Sequence, residues 1–365
     1  MQICYYEKET GGLIMKFIVF NLLHNIPNPL TGETLTSQQV FQHTLEQAVL
    51  VEKLGFDGYG IGERHGEPFF SSSPAVVLAS IAARTSKIRL LTTVSVLSVL
   101  DPVRVAEDYA TLDHLSGGRF ELMIGKGNDL RHYPLFGITE EEQWESLEER
   151  YYLLKRLWRE ENVTWSGKYR PPLTNVTIQP RPFQKNIRIW HGSASSPIST
   201  ELAAKNGDPI FSSNSFHPKA KYKELIDHYR ERLEYYGHDP KQAVIGAGAR
   251  GLYLANTTEE AIQRYRPYYN AFMNTDASKY NQSPFKNLED HIENGSALIG
   301  SPDQVIEKIL DYHAAFGHQV QGISVEGLRR EEQQEQLERF AAEVMPVLRR
   351  EIPSKIWDEK QPVLN

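Results

Sequence analysis

The sequence predicts an α/β fold: an eight-stranded parallel β/α (TIM) barrel with insertions after strands four and seven. Three observations carry this. From Lys16 onward, apolar β-forming runs alternate with stretches of helical periodicity. Eight such pairs can be counted, the number that closes a sheet on itself. Five helical stretches open on a residue–proline step: Ser73-Pro74, Asp101-Pro102, Ser196-Pro197, His217-Pro218 and Ser301-Pro302. Proline at the first helical position loses nothing by lacking an amide, so the step marks a boundary. An open doubly wound sheet is the runner-up, disfavoured because no GxGxxG follows the first strand.

The first strand is 16–23, KFIVFNLL. A helix over 37–54 puts Val40, Phe41, Leu45, Ala48 and Val49 on one face and stops at Gly55. The second strand is 57–61. The helix over 74–84 is small and apolar nearly all round, which asks for a partner helix and hence a homodimer. The third strand starts at Ile88 and turns at Asp101-Pro102 into a helix with Val105, Tyr109 and Leu112 on one stripe. Ser116-Gly117-Gly118 ends that helix. The fourth strand, 120–124, is nearly all apolar, as befits a strand covered on both faces, and runs into Gly125-Lys126-Gly127-Asn128.

A long amphipathic helix covers 141–158. The stretch 162–186 contains Pro171, Pro172, Pro180 and Pro182 and reads as an excursion, a hairpin. The fifth strand is 187–191 with a helix over 197–206, and the sixth is 209–211 with a helix over 219–236. The seventh is read as one strand over 243–254 with a glycine-rich middle, followed by a helix over 258–272. Residues 274–296 are polar and irregular and form a candidate lid. A helix over 302–316, the eighth strand over 320–325 and a closing helix over 330–350 complete a single domain, 16–351. Residues 352–365 are read as a C-terminal tail, and 1–15 as a leader or mobile tail. Thr10-Gly11-Gly12 is compatible with a bacterial ribosome-binding sequence just upstream of Met15, so Met15 is the expected natural start.

The 365 residues are 40% hydrophobic and 24% charged, with a formal net charge of −7. No basic run forms a nucleic-acid or membrane footprint. No stretch approaches transmembrane length. The one cysteine excludes an intrachain disulfide and a cysteine-based metal site. The 12 histidines show no HxH or HExxH spacing, so no metal is expected. There is no GxSxG elbow. A cytoplasmic enzyme or binding protein is the default reading.

In a β/α barrel the chemistry sits beyond the C-terminal strand ends. There stand Asn21, His24 and Asn25; Glu63, Arg64 and His65; Thr92, Thr93 and Ser95; Lys126 and Asn128; and Glu326-Gly327. After strand five come Gly192-Ser193-Ala194-Ser195-Ser196 and a helix start. Small hydroxyl residues at a helix N-terminus suit a phosphate, and Lys126 offers a counter-charge. The same serines would serve as a plain N-cap, and the residues alone leave both readings open. A phosphate anchor with no nucleophile suggests a phosphorylated organic cofactor.

These positions also match a family. Glu52-Lys53-Leu54-Gly55-Phe56-Asp57 with Gly62-Glu63-Arg64-His65, Asp113-His114-Leu115-Ser116-Gly117-Gly118-Arg119-Phe120, Ala203-Ala204 and Val344-Met345-Pro346 occur in order over nearly the whole chain. In this pattern the chain resembles the bacterial luciferase-like flavin-dependent monooxygenases. The resemblance implies reduced FMN from a separate flavin reductase, molecular oxygen and a small organic substrate, through a flavin hydroperoxide. It places phosphate on Lys126, Asn128, Gly192, Ser193, Ala194, Ser195 and Ser196, and a non-proline cis peptide beneath the flavin at Thr93-Val94. Luciferases carry Glu-His-His after strand two, where this chain has Glu63-Arg64-His65. His65 is the candidate catalytic base, and Arg64 the candidate stabiliser of an anion. Two other functions stay open: hydride transfer with a deazaflavin, and flavin binding without turnover.

Overall fold

The computed structural model describes residues 14–193, 196–275, 284–354 and 356–357. The leader lies almost wholly outside the described residues, as do Ala194, Ser195, 276–283 of the candidate lid and most of the C-terminal tail.

Eight parallel strands close into a barrel. In chain order they are β1 (Lys16–Asn21), β2 (Gly58–Ile61), β3 (Arg89–Thr92), β5 (Phe120–Gly125), β8 (Ile189–Ser193), β9 (Ile210–Ser212), β10 (Ile245–Ala247) and β13 (Val320–Ile323). Each pairs with the next, β13 pairs with β1, and β3 joins β5 through Leu90↔Phe120 and Leu91↔Glu121. Closure explains why these strands lack polar alternation. Phe17 and Val19 face the outer helices, while Ile18, Leu91, Met123, Trp190, Phe211 and Val320 form the interior layer.

The helices begin where side chains satisfy the orphan amides. Thr36 and Gln39 form a capping box on α1 (Ser37–Lys53). Ser73 precedes α2 (Pro74–Ala82) without a side-chain cap. Asp101 accepts from Val103 and Arg104 N–H ahead of α3 (Pro102–Ser116), and Ser196 accepts from Ile198 N–H ahead of α5 (Pro197–Asn206). His217-Pro218 differs from expectation: Pro218 occupies the cap itself, with no side-chain bond, and α6 (Lys219–Tyr235) starts after it. The excursion after α4 (Gln143–Arg159) is an antiparallel hairpin, β6 (Val163–Trp165) with β7 (Leu173–Val176).

Three expectations need correction. The third strand is interrupted. β3 ends at Thr92, the Thr93-Val94 peptide is cis, and the short β4 (Ser95–Val96) pairs with β5. The seventh strand is two. Its barrel part, β10, ends at Ala247, and Gly248-Ala249-Arg250-Gly251 turns the chain out. Gly251 has φ of +73°, and a side chain on Gly248 would lie 2.6 Å from the Ser213 carbonyl oxygen. Beyond the turn, β11 (Leu252–Leu254) pairs not with the barrel but with β12 (Leu298–Gly300). The third correction concerns the candidate lid. After α7 (Thr258–Met273), its described part contains α8 (Leu288–Asn294), capped by Asn287, rather than irregular chain.

After α9 (Pro302–Phe316) and β13, the closing helix is α10 (Arg330–Arg339), a π-helical turn Phe340–Val344 and α11 (Met345–Glu351). The chain then runs under the barrel. Ile356 is 4% exposed and joins the interior layer, and Trp357 Nε1 donates to Glu121 Oε1 at 2.6 Å.

Three residues of the family-like motifs, Glu52, Asp57 and Arg119, fasten the N-terminal ends of the strands. Glu52 accepts the backbone amides of Ser86, Lys87 and Ile88. Asp57 accepts from Phe17 N–H and Arg349. The Arg119 guanidinium donates to the carbonyls of Ile88, Ala82, Thr85 and Ser116. These residues hold the barrel's floor and leave its other mouth to the site.

Candidate active site

A cavity of about 520 Å³ opens at the C-terminal strand ends. Of the predicted residues, Arg64, Thr93, Lys126, Asn128, Gly192, Ser193 and Ser196 line it together. Ala194 and Ser195 fall outside the described residues.

One end is built for an anion. Ser196 caps α5, its hydroxyl oxygen accepting from Ile198 N–H at 3.2 Å and leaving its own proton free to donate. Ser193 Oγ lies 3.4 Å from the Ser196 carbonyl, and Ser199 Oγ donates to Gly192 O at 3.1 Å. The helix dipole and its first amides point into the same space. Lys126 Nζ bonds Gly127 O at 3.0 Å and lies 5.8 Å from the Trp144 ring centroid. Burial holds its ammonium below the ordinary lysine pKa, so an anion there would be favoured.

The middle of the cavity is the wall at Thr93-Val94. Val94 is packed so closely that a Cβ on Gly192 would stand 2.6 Å from Val94 Cγ1. Thr93 Oγ1 and Ser213 Oγ are buried without a partner among the described residues. Both line the cavity, as unsatisfied hydroxyls do where a polar ligand belongs.

Past β2, Glu63 and Arg64 reach the cavity and His65 does not line it. His65 Nε2 donates to Glu63 Oε1 at 2.9 Å, and its backbone N–H donates to His132 Nε2 at 3.2 Å. Glu63 Oε2 accepts from Val96 N–H at 2.9 Å. His65 therefore stands one layer back, fixing Glu63 and His132, which do line the wall. His132 is 1% exposed, and burial lowers its pKa to about 4, so the ring is neutral near pH 7. Arg64 lies 5.4 Å from the Phe69 ring centroid, and burial lowers its pKa to about 10.

Three wall residues received no role from sequence. Glu326, after β13, accepts backbone N–H bonds from Leu22 at 2.6 Å and His24 at 3.3 Å. Burial nevertheless pushes its carboxyl up to about 7. Arg250 enters from the turn hidden inside the supposed seventh strand, and that turn's paired glycines were the available signal. His24 lies between Phe69, tilted against it, and Phe272, edge-on to it, and burial lowers its pKa to about 4. Among the described residues no His/Cys/Asp/Glu group could hold a metal. None of the described helices is long and apolar enough to cross a membrane.

The cavity at the strand ends thus runs from Lys126, Ser193 and the start of α5 to a wall that carries Phe69, Phe216 and Phe272. The family model for luciferase-like monooxygenase matches residues 15–319, and the chain belongs to that family. This places it among the oxidoreductases. It is 24% identical to the flavin-dependent trigonelline monooxygenase, oxygenase component, of Acinetobacter baylyi, over 91% of this chain and 95% of that one. It is 32% identical to the F420-dependent glucose-6-phosphate dehydrogenase of Kineococcus radiotolerans, over 53% of this chain and 59% of that one. The crystal structure of monooxygenase RslO1 from Streptomyces bottropensis superposes with a TM-score of 0.78 at 26% identity, covering 91% of this chain and 99% of that one.

Proposed function

We propose that the chain is the oxygenase component of a two-component monooxygenase. It takes reduced FMN from a separate flavin reductase and, with molecular oxygen, oxygenates a small organic substrate. The observation that carries this is a cavity with Lys126, Ser193 and the α5 N-terminus at one end and an aromatic wall at the other. Reduced FMN, when bound, supplies the electrons that activate oxygen.

In this reading Lys126, Asn128, Gly192, Ser193 and Ser196 hold the phosphate, and Ala194 and Ser195 belong to the same loop. Thr93 and Val94 support the ring face. Arg64 stabilises negative charge that develops beside the ring, since a guanidinium stays protonated with a pKa of about 10. His65 is a positioning residue that acts through Glu63 and His132. Glu326, titrating near 7, takes up and returns a proton at its carboxyl oxygen. The aromatic walls exclude water. Two copies associate through α2, where Val76 is 67% exposed on an apolar helix, and the protein works in the cytoplasm.

The deazaflavin reading is favoured by the F420-dependent relative. Binding separates the two. Reduced and oxidised FMN should bind saturably, and oxygen uptake should follow with product formed. A protein that ignores FMN and binds a deazaflavin would overturn the proposal. Tight FMN binding without turnover on any substrate would make the chain a flavin-binding protein instead.

A further inference from the structure

The far half of the cavity carries a charge, Arg250, to which the flavin reading gives no role. Arg250 leaves β10 through its glycine turn and lies 4.0 Å from the Phe272 ring centroid and 5.5 Å from that of Phe216. Among the described residues its guanidinium makes no hydrogen bond and no ion pair; only its backbone N–H is bonded, to Ser296 Oγ. Arg64 faces the same space from Phe69 and likewise has no side-chain hydrogen bond among the described residues. Burial holds both guanidinium pKa values down; in Arg64 it outweighs the opposing charges of Asp129 and Glu326, with Arg131 and Arg250 adding to the lowering.

The carboxylates of this wall answer that charge only at a distance: Glu326 acts on both arginines and Asp129 on Arg64, but among the described residues none pairs with either guanidinium. Glu63 is occupied by His65 and Val96 N–H. Glu326 is occupied by Leu22 and His24 N–H, forms no ion pair with either arginine among the described residues, and is only part-ionised near neutrality. A third group waits in the same wall: Tyr269, 6% exposed, has a hydroxyl with no partner among the described residues. A desolvated guanidinium without an anion costs free energy, and a partner of matching shape removes that cost. The planar fork of arginine matches a carboxylate in bidentate fashion. The rings of Phe216 and Phe272 beside it accept a flat apolar body.

We infer that the substrate is a planar aromatic acid whose carboxylate docks on Arg250, with Tyr269 as a further donor, and whose ring lies against Phe216 and Phe272. Arg64 adds attraction from the opposite wall. The inference rests on the monooxygenase reading only in calling this molecule the substrate; the anion seat itself stands on Arg250 and its surroundings.

The test is a titration of the FMN-loaded protein with benzoate and with benzamide at pH 8, binding read by calorimetry. Benzoate should bind about tenfold or more tightly than benzamide, as expected for a charge-assisted hydrogen-bonded pair. Arg250→Gln should erase that preference, Arg250→Lys should restore part of it, and FMN affinity, read by quenching of flavin fluorescence, should change little. Equal affinity for the two probes in the wild type, or an undiminished preference in Arg250→Gln, overturns the inference. So does a large loss of FMN affinity in Arg250→Gln with benzoate unaffected, which would give Arg250 to the flavin seat while leaving the monooxygenase reading in place. Failure of the wild type to bind FMN would sink that reading instead. The probe comparison on flavin-free protein would then decide the anion seat independently.

Discussion

Replacing Glu326 by glutamine should make the protein more stable in alkaline buffer and leave it unchanged in acid. Folding carries this carboxyl from its ordinary 4.5 to about 7 because burial disfavours the anion. The folded pKa is the higher one, so the folded state binds the extra proton. Stability from this group is then fully present below 4.5 and is lost as pH rises toward 7. At 1.36 kcal/mol per pH unit, an ionised Glu326 costs about 3 kcal/mol at pH 8. Glutamine keeps an oxygen to accept from Leu22 and His24 N–H and cannot ionise. Thermal melts of both proteins between pH 4.5 and 9 should therefore diverge by several degrees, the gap opening between about pH 5 and 7. A constant gap across that range would show that the carboxyl keeps its ordinary pKa and would remove it as a proton carrier.

Three further outcomes follow from the geometry. Gly192→Ala places a Cβ 2.6 Å from Val94 Cγ1, an overpacking worth about 1–3 kcal/mol, and should lower both the melting temperature and FMN affinity. Ser193→Ala with Ser196→Ala removes the α5 cap, about 1 kcal/mol of stability. It should also weaken FMN by about 1.5–3 kcal/mol for each charge-assisted bond lost; unchanged FMN affinity would take this loop out of the phosphate seat. Trp357→Phe removes a donor from Glu121, which keeps Trp190 and Arg188. The expected loss is about 1.5–3 kcal/mol in a denaturant titration, with FMN affinity intact because the contact lies at the other end of the barrel.

The barrel was legible because its strands are short apolar runs between capped helices, and both signals are local. Of the segments that carried the resemblance, Gly62-Glu63-Arg64-His65 reaches the cavity wall, while those around Glu52, Asp57 and Arg119 form the floor of the fold. Glu52 and Arg119 bond mainly to backbone groups between strand starts and helix ends, and Asp57 joins Phe17 N–H to the Arg349 side chain. They report the architecture and touch nothing in the cavity. The α5 end of the cavity was half legible, since a serine before proline reads as a cap and Ser196 is one. The far end was not. Arg250 was hidden inside a run read as a single strand, because Leu252, Tyr253 and Leu254 continue its apolar pattern in a different sheet. Glu326 was visible at a strand end, but its raised pKa comes from burial by residues far away in sequence. His65 shows the converse case. It sits in the motif, yet its ring bonds Glu63 from behind, and Arg64 takes the place at the wall.

Oxygen uptake by the protein with anaerobically reduced FMN, measured with and without an aromatic carboxylate and followed by mass analysis under isotopically labelled oxygen, tests the central claim most directly. The account predicts saturable FMN binding and one labelled oxygen atom in the product. Saturable binding of a deazaflavin with no binding of FMN, and no label in any product, would contradict it.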